Sequence, residues 1–127
     1  MLNHELLGRF NVKTSDEFEE EYERIVGRKP NFDKINKKVI ELLQYISMTK
    51  NPAEIYNHRC IEKLKTDDLF SMKIKLQCNI RILFSLEKDG TILLHSFEEK
   101  AGKKNTEYGI AVKTANERLQ ALKGRKK

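Results

Sequence analysis

The spacing of the hydrophobic residues changes near residue 69, and this change restricts the chain to folds that combine helices with a sheet. Before that point apolar side chains recur every three or four residues, as at Phe18, Tyr22 and Ile25. In the segment 69–77 apolar and polar residues alternate instead, which is the period of a strand with one buried face. With 127 residues the chain has the length of one domain. The sequence therefore predicts a single α+β domain over residues 1–127.

Two helices are predicted in the N-terminal half of the chain. The four residues from Thr14 to Glu17 match a capping box, in which a hydroxyl and a carboxylate bond to free amide groups at the start of a helix. This first helix is expected to end at Gly27, and the second is expected to run from Asn31 to a stop before Pro52. The apolar face of the second helix is formed by Phe32, Ile35, Val39, Leu42, Leu43 and Ile46.

The C-terminal half is predicted to form antiparallel strands followed by one helix. The strands cover residues 69–77, 80–86 and 91–97, and a weaker signal indicates a short strand at 10–12. Asp89-Gly90, between the last two strands, is a strong signal for a type I′ hairpin turn. A final amphipathic helix is marked by apolar residues at helical spacing, namely Tyr108, Ala111, Val112, Ala115, Leu119 and Leu122.

The charge of the chain is uneven and favours a polyanionic partner. The chain has 25 Lys and Arg against 19 Asp and Glu, which gives a formal net charge of +6. Residues 100–127 hold 9 basic and 2 acidic side chains, whereas residues 1–24 hold 3 basic and 7 acidic ones. A basic end attracts nucleic acid through long-range attraction and counterion release. A solvated helix with a flexible basic tail at 123–127 fits the same composition, and charge alone does not choose between the two interpretations.

Other features of the sequence narrow the class of protein. No apolar run approaches the roughly 20 residues that a membrane-spanning helix needs, and the first residues lack a basic segment followed by an apolar one. We therefore expect a cytoplasmic protein that contacts no membrane. Cys60 and Cys78 have no paired cysteine or histidine cluster beside them, so we expect reduced thiols and no zinc. Glycine-rich phosphate loops, metal-ligand spacings and nucleophile-elbow motifs are missing as well, so no cofactor is expected.

A group of basic residues remains as the candidate site. Lys73 and Lys75 are two residues apart in a predicted strand and therefore project from the same face. Arg81 on the neighbouring strand is placed to join them, and Tyr108 is expected in the first turn of the last helix. The loop before that helix contributes two further cations, Lys103 and Lys104.

Such a group suits the cleavage of RNA by its own ribose 2′-hydroxyl. When the 2′-OH attacks the adjacent phosphate, negative charge builds on the phosphorane oxygens and on the leaving 5′-oxygen, where Arg and Lys donors bind it. A Lys crowded by other cations loses proton affinity and can serve as the base, so this reaction requires no metal. The alternative is a polar sheet face whose exposed lysines have no such role, and the spacing alone favours that alternative.

The order of short motifs in this half of the chain resembles the RelE/HigB toxins of bacterial toxin–antitoxin pairs. The motifs are IEKLK at 61–65, LFSMKIKL at 69–76, NIRILF at 79–84 and ILLHSF at 92–97. They are similar to the family's KL segment, to its strands that read like YKIKL and YRILY, and to its LLHGF strand. A Lys-rich loop and a helix beginning Thr106-Glu107-Tyr108 follow, so the resemblance covers about residues 60–120.

The resemblance implies a fold, an activity and a set of partners. The implied fold is RelE-like, with two N-terminal helices packed on a small twisted antiparallel sheet and a C-terminal helix. The implied activity is ribosome-dependent, metal-independent cleavage of mRNA, which makes the chain an endoribonuclease and the toxin of its pair. The implied partners are the ribosome, mRNA and a cognate antitoxin with a helix-turn-helix, and operator DNA is reached only through the complex with the antitoxin.

By position, the resemblance also implies roles for individual residues. Lys73 and Lys75 match strand lysines that are candidates for base and phosphate contact. Arg81 matches the arginine that stabilises the transition state, and Tyr108 matches the tyrosine that contacts the RNA near the scissile phosphate. Strand alternation favours a packed histidine at position 95, and the alternative is an acid or base in contact with the RNA. The RNA-binding candidates are therefore Lys100, Lys103, Lys104 and His95.

Two departures from the family pattern support a second hypothesis. Phe97 is followed by Glu98 and Glu99 where family members have two lysines, and Asn105-Thr106 replaces a Thr-Pro. Carboxylates beside an RNA channel repel phosphate unless they turn away or pair with cations. The alternative is therefore a non-catalytic binder on the same scaffold, either a ParE-like gyrase inhibitor or a degenerate RNA- or protein-binding module.

Overall fold

Five strands of the described chain form one mixed sheet, which the helices cover on both faces. The computed structural model describes residues 2–49, 52–55, 58–64, 68–99 and 104–125. The strands are β1 (Val12–Thr14), β2 (Ile61–Lys63), β3 (Phe70–Lys75), β4 (Asn79–Glu87) and β5 (Gly90–Glu98). Their order in the sheet is β1-β5-β4-β3-β2, with β1 parallel to β5 and the other neighbouring pairs antiparallel.

The helices of the described residues range from one turn to about six turns. They are α1 (His4–Arg9), α2 (Phe18–Val26), α3 (Phe32–Met48), α4 (Pro52–Ile55) and α5 (Lys104–Arg125). Asn3 caps α1, because its side chain accepts hydrogen bonds from the amides of Glu5 and Leu6 at 2.9 and 3.2 Å. In this part of the chain, no helix combines the length and the apolar character that crossing a membrane requires.

The architecture expected from the periodicity and from the resemblance is wrong. The chain is α+β, but its sheet is mixed and five-stranded rather than a small antiparallel one, because β1 and β2 extend it at both edges. Two further helices, α1 and α4, also accompany the expected ones. These four elements contain only three to six residues each, which is too short to produce a hydrophobic period. The longer elements α2, α3, β3, β4, β5 and α5 lie where the periodicity predicts them.

Two local predictions are also wrong, although the elements they belong to are present. The predicted capping box does not form at α2, because Thr14 is the last residue of β1 and the helix begins only at Phe18, where the side chain of Glu17 makes no capping bond. The β4–β5 turn is not type I′, which needs positive φ at both central residues. In this turn only Gly90 has positive φ, 142°. A side chain at Gly90 would collide with the backbone of Asn11, which explains the glycine.

The sheet has a hydrophobic core on each face. On one face α2 and α3 pack against the sheet around fully buried residues such as Ile35 and Met72. On the other face α5 packs on β4 and β5 through residues such as Leu83 and Ala115. Burying a large apolar side chain stabilises a fold by about 1.5–3 kcal/mol. The face under α5 is also the one that carries Arg81, so α5 covers part of the predicted basic face.

Candidate functional site

Arg81 lies at the centre of the candidate site, on the sheet face that α5 covers. Its Cα is paired across the sheet with those of Lys73 in β3 and Phe97 in β5. Only 4% of Arg81 is exposed, and its Cζ lies 5.6 Å from the centroid of the Tyr108 ring. Nε donates to Oε2 of Glu99 at 2.6 Å, whereas Nη1 is buried without a hydrogen-bond partner among the described residues. The guanidinium therefore holds an unused donor inside a nearly closed site.

The hydroxyl of Tyr108 joins α5 to the strands beside Arg81. It lies 3.1 Å from Oγ of Ser71 in β3 and donates to Oε1 of Glu62 in β2 at 3.4 Å. Burial raises the pKa of Tyr108, and the carboxylates of Glu62 and Glu99 raise it further. The Ser71 hydrogen bond and the charge of Arg81 only partly offset this rise. The phenol is thus protonated at neutral pH, so it can donate to an anion but cannot act as a base.

Glu98 and Glu99, the two carboxylates that follow Phe97, face different partners. Both oxygens of Glu98 accept hydrogen bonds from Nζ of Lys29, at 2.8 and 2.7 Å. The Glu99 side chain is 13% exposed and pairs with Arg81. The repulsion of phosphate that the sequence predicts for both residues therefore concerns Glu99, because its carboxylate is the one that contacts the site. An anion can bind the Nε edge of Arg81 only by displacing Glu99.

Lys73 and Lys75 both project from β3, but only one of them lies beside Arg81. Lys73 is half-buried and is the direct cross-strand neighbour of Arg81. Lys75 is exposed and pairs with Asn79, one step further along the sheet. Arg81, Tyr108 and Lys73 are thus grouped on one face. Lys75 is separated from them and lines a groove, which Lys73 also borders.

Of three predicted RNA-binding lysines, the structure describes only the backbone of one, Lys104. Lys100 and Lys103 lie outside the described residues, and so does the side chain of Lys104. The backbone of Lys104 starts α5, so this residue is not in a loop as predicted, and Tyr108 lies in the second helical turn instead of the first. No proline or glycine interrupts residues 103–107, so nothing in this segment delays the start of the helix.

His95, the fourth RNA-binding candidate, contacts a buried carboxylate. Its Nδ1 lies 2.9 Å from both oxygens of Glu21 in α2. Arg118 in α5 donates to the same two oxygens at 3.0 Å, and the amide of Ser96 donates to one of them at 2.8 Å. We call Glu21, His95 and Arg118 the buried triad. It ties together α2, β5 and α5, because each element contributes one member.

The triad keeps Glu21 ionised although only 6% of the residue is exposed. Burial alone would raise the pKa of Glu21, but the hydrogen bonds from His95, Arg118 and Ser96 outweigh it and lower the pKa to about 2. Since an ionised carboxylate only accepts hydrogen bonds, Nδ1 of His95 carries a proton. The His95 ring also stacks on Phe97, with 5.7 Å between centroids, and Phe97 meets the Tyr108 ring edge-on at 5.5 Å. The triad is therefore in packing contact with the Arg81 site.

Several partners of the site were not predicted from the sequence. Glu21 belongs to an acidic stretch of α2 that looks like a solvated helix face, and only its spacing of three residues from Phe18 places it on the buried side. Ser71 was expected to face solvent, but it is fully buried beside Tyr108. Glu62 lies in β2, which has no hydrophobic period of its own. Arg118 has no sequence signal that distinguishes it from other cations of α5.

The described residues contain no group of three or more His, Cys, Asp or Glu arranged to hold a metal ion. Cys60 and Cys78 are free thiols. Comparison with protein-family models, curated proteins and solved structures gives no match. The resemblance to the RelE/HigB toxins therefore stays a prediction from sequence motifs, and the function has to be inferred from the chemistry of the site.

Proposed function

We propose that this protein is the toxin of a toxin–antitoxin pair and that it cleaves mRNA bound to the ribosome in the cytoplasm. One observation supports this function above all. The buried guanidinium of Arg81 has a donor without a partner among the described residues, its Cζ lies 5.6 Å from the ring centroid of the protonated Tyr108, and Lys73 is its neighbour in the sheet. Positive charge and hydrogen-bond donors fixed in a site of low exposure are what a reaction that develops negative charge on phosphate requires.

The proposed reaction uses the RNA's own 2′-hydroxyl as nucleophile. A bond forms between O2′ and phosphorus while the bond to the 5′-oxygen breaks, which leaves a 2′,3′-cyclic phosphate and a 5′-hydroxyl. Arg81 binds the charge on the phosphorane oxygens, and Tyr108 donates a hydrogen bond near the scissile phosphate. Lys73 and Lys75 are the candidates for base and phosphate contact. The base takes the proton of the 2′-OH, and a proton is delivered to the leaving 5′-oxygen.

The carboxylate of Glu99 occupies the Nε edge of Arg81 and so competes with phosphate for it. The variant Glu99→Gln tests this competition. Removing the carboxylate charge while keeping an acceptor for Arg81 should strengthen the binding of a 2′-O-methylated RNA oligonucleotide. One phosphate contact on single-stranded nucleic acid is worth about fivefold in affinity at 0.1 M salt, so we expect a gain of roughly that size. Fluorescence anisotropy measures it. Glu98→Gln is the matched control, since its carboxylate pairs with Lys29, and it should change the affinity less than twofold.

The proposed function implies partners beyond the site itself. The chain would act with the ribosome and mRNA, would be restrained by a cognate antitoxin with a helix-turn-helix, and would reach operator DNA only through that complex. The test is direct: expression of the chain alone in bacteria should stop growth and translation within minutes, and co-expression of a small helix-turn-helix protein from the adjacent reading frame should restore both. Continued growth of cells that contain the folded chain would contradict the proposal.

A second function is favoured by the same ion pair. Arg81 is 4% exposed and already bonded to Glu99, so its charge is neutralised inside the protein. A scaffold that binds without cleaving would have this property, either as a ParE-like gyrase inhibitor or as a degenerate RNA- or protein-binding module. Induction separates the alternatives: translation arrest supports the nuclease, a DNA-damage response supports gyrase inhibition, and growth without a phenotype supports a degenerate module.

A further inference from the structure

Four cations line a groove at the edge of the sheet, beside the end of β3 that β2 does not cover. β2 pairs with β3 only as far as Met72, so the end of β3 continues without it. The groove has a volume of about 430 Å³ and is lined by Lys38 of α3, by Arg59 and Cys60, by Lys73 and Lys75 of β3, and by Leu76, which follows β3. None of these lining residues is acidic. We call this feature the basic groove.

The charge of the basic groove is not neutralised within the described part of the chain. Lys38, Arg59, Lys73 and Lys75 form no ion pair with a described carboxylate. Lys38 and Lys73 are half-buried, as is Lys29, which does pair with a carboxylate. The neighbouring His58 responds to this charge: burial lowers its pKa, and the positive charges of Lys38 and Arg59 lower it further. The groove therefore presents uncompensated positive potential to solvent.

The basic groove and the Arg81 site share one residue, Lys73. Lys73 borders the groove and is also the direct cross-strand neighbour of Arg81. Lys75, two residues further along the strand, lies about 6.6–6.8 Å beyond it. Cations at successive positions along a groove can contact successive phosphates of one strand, whereas a small anion would need only one of them. A nucleic-acid strand whose phosphates follow the groove as far as Lys73 would thus come next to Arg81.

We propose that the basic groove binds the phosphodiester backbone of single-stranded RNA beside the nucleotide that is cleaved at Arg81. The position of the cleaved nucleotide rests on the proposed function, but the binding of RNA in the groove does not. Lys38 and Arg59 are the new members of this binding surface, because they belong to α3 and to the segment before β2, outside the Arg81 site. They contact phosphate and take no part in bond breaking.

The experiment measures binding of a fluorescein-labelled, fully 2′-O-methylated oligonucleotide to the full chain by anisotropy, at several salt concentrations. The variants Lys38→Glu and Arg59→Glu should each weaken binding by about fivefold or more at 0.1 M salt and lower the log–log salt slope by about 0.7, the value for one lost contact on a single strand. The matched control is Lys37→Glu, which makes the same charge change at an exposed position of α3 that does not line the groove.

Lys37→Glu should change the affinity less than twofold, and all three variants should unfold at the wild-type temperature because none of these side chains is buried. Equal RNA affinity for Lys38→Glu, Arg59→Glu and Lys37→Glu would contradict the proposal that the basic groove binds RNA. Because this oligonucleotide has no free 2′-OH, the outcome does not depend on catalysis. A third outcome is that the groove variants bind RNA more weakly but the wild-type chain leaves mRNA intact in a cleavage assay. That outcome would support RNA binding in the basic groove and contradict only the proposed nuclease activity.

Discussion

Under the proposed function, the variant Arg81→Lys is expected to cleave mRNA about 100- to 1,000-fold more slowly than the wild type, which is the usual cost of removing one fixed donor from a site that stabilises an oxyanion. Lysine keeps the positive charge opposite Glu99 but loses the planar, forked set of donors. Nη1 of Arg81, which has no hydrogen-bond partner among the described residues, has no counterpart in lysine, so in the proposed reaction the phosphorane would lose its best-placed partner. The measurement is the rate of mRNA cleavage in a purified translation system.

Arg81→Lys is preferred to Arg81→Ala for this test because alanine would leave Glu99 buried without a cation. Breaking a buried pair in that way costs about 3–5 kcal/mol and would confuse folding with catalysis. Arg9→Lys is a suitable control, since Arg9 is an exposed cation at the end of α1 and makes only a long contact of 3.9 Å with Glu5. If Arg81→Lys cleaved mRNA at the same rate as the wild type, Arg81 would not be the residue that stabilises the transition state.

The largest expected effect on stability comes from Glu21→Ala in the buried triad. This substitution leaves the half-buried Arg118 and His95 without their shared carboxylate, and the free energy of unfolding should fall by about 3–5 kcal/mol. Urea denaturation followed by circular dichroism measures the change. The neighbouring Glu20→Ala is the control, because Glu20 is exposed on the same helix and should change stability by less than about 0.5 kcal/mol.

The triad also predicts how stability depends on pH. The folded protein lowers the pKa of Glu21 from its ordinary value of 4.5 to about 2, so the folded state binds the Glu21 proton less readily than the unfolded state. The resulting stabilisation is fully present above pH 4.5 and disappears as the pH falls toward 2; it amounts to roughly 3 kcal/mol. Glu21→Gln should show a flatter decline between these pH values. If the free energy of unfolding fell equally with pH in the wild type and in Glu21→Gln, this role for Glu21 would be ruled out.

The sequence predicted the long elements well because each has many residues in one hydrophobic period. The alternation in β3 also placed Lys73 and Lys75 on one side, and the spacing of β4 placed Arg81 beside Lys73. This part of the candidate site follows from geometry along single strands and between neighbouring strands. It needs no knowledge of what packs on the sheet.

The rest of the site depends on contacts between elements that are distant in sequence. Alternation shows which face of β3 is polar, but not that α5 lies over it, so the burial of Ser71 and Arg81 could not be predicted. The pairing of Glu21 with Arg118 spans 97 positions, and no local pattern distinguishes this carboxylate from its acidic neighbours in α2. Among the short edge strands, β2 was missed and β1 was predicted two residues too early, at 10–12, because three residues contain too little pattern.

The most direct test of RNA cleavage is the mapping of mRNA ends in a purified translation system with the wild-type chain. The proposed function predicts cuts in the codon that occupies the ribosomal decoding site, with a 2′,3′-cyclic phosphate on one side and a 5′-hydroxyl on the other. The cuts should vanish when ribosomes are omitted and should be reduced at least 100-fold with Arg81→Lys. Intact mRNA after incubation with the folded wild-type chain and translating ribosomes would contradict the proposed function.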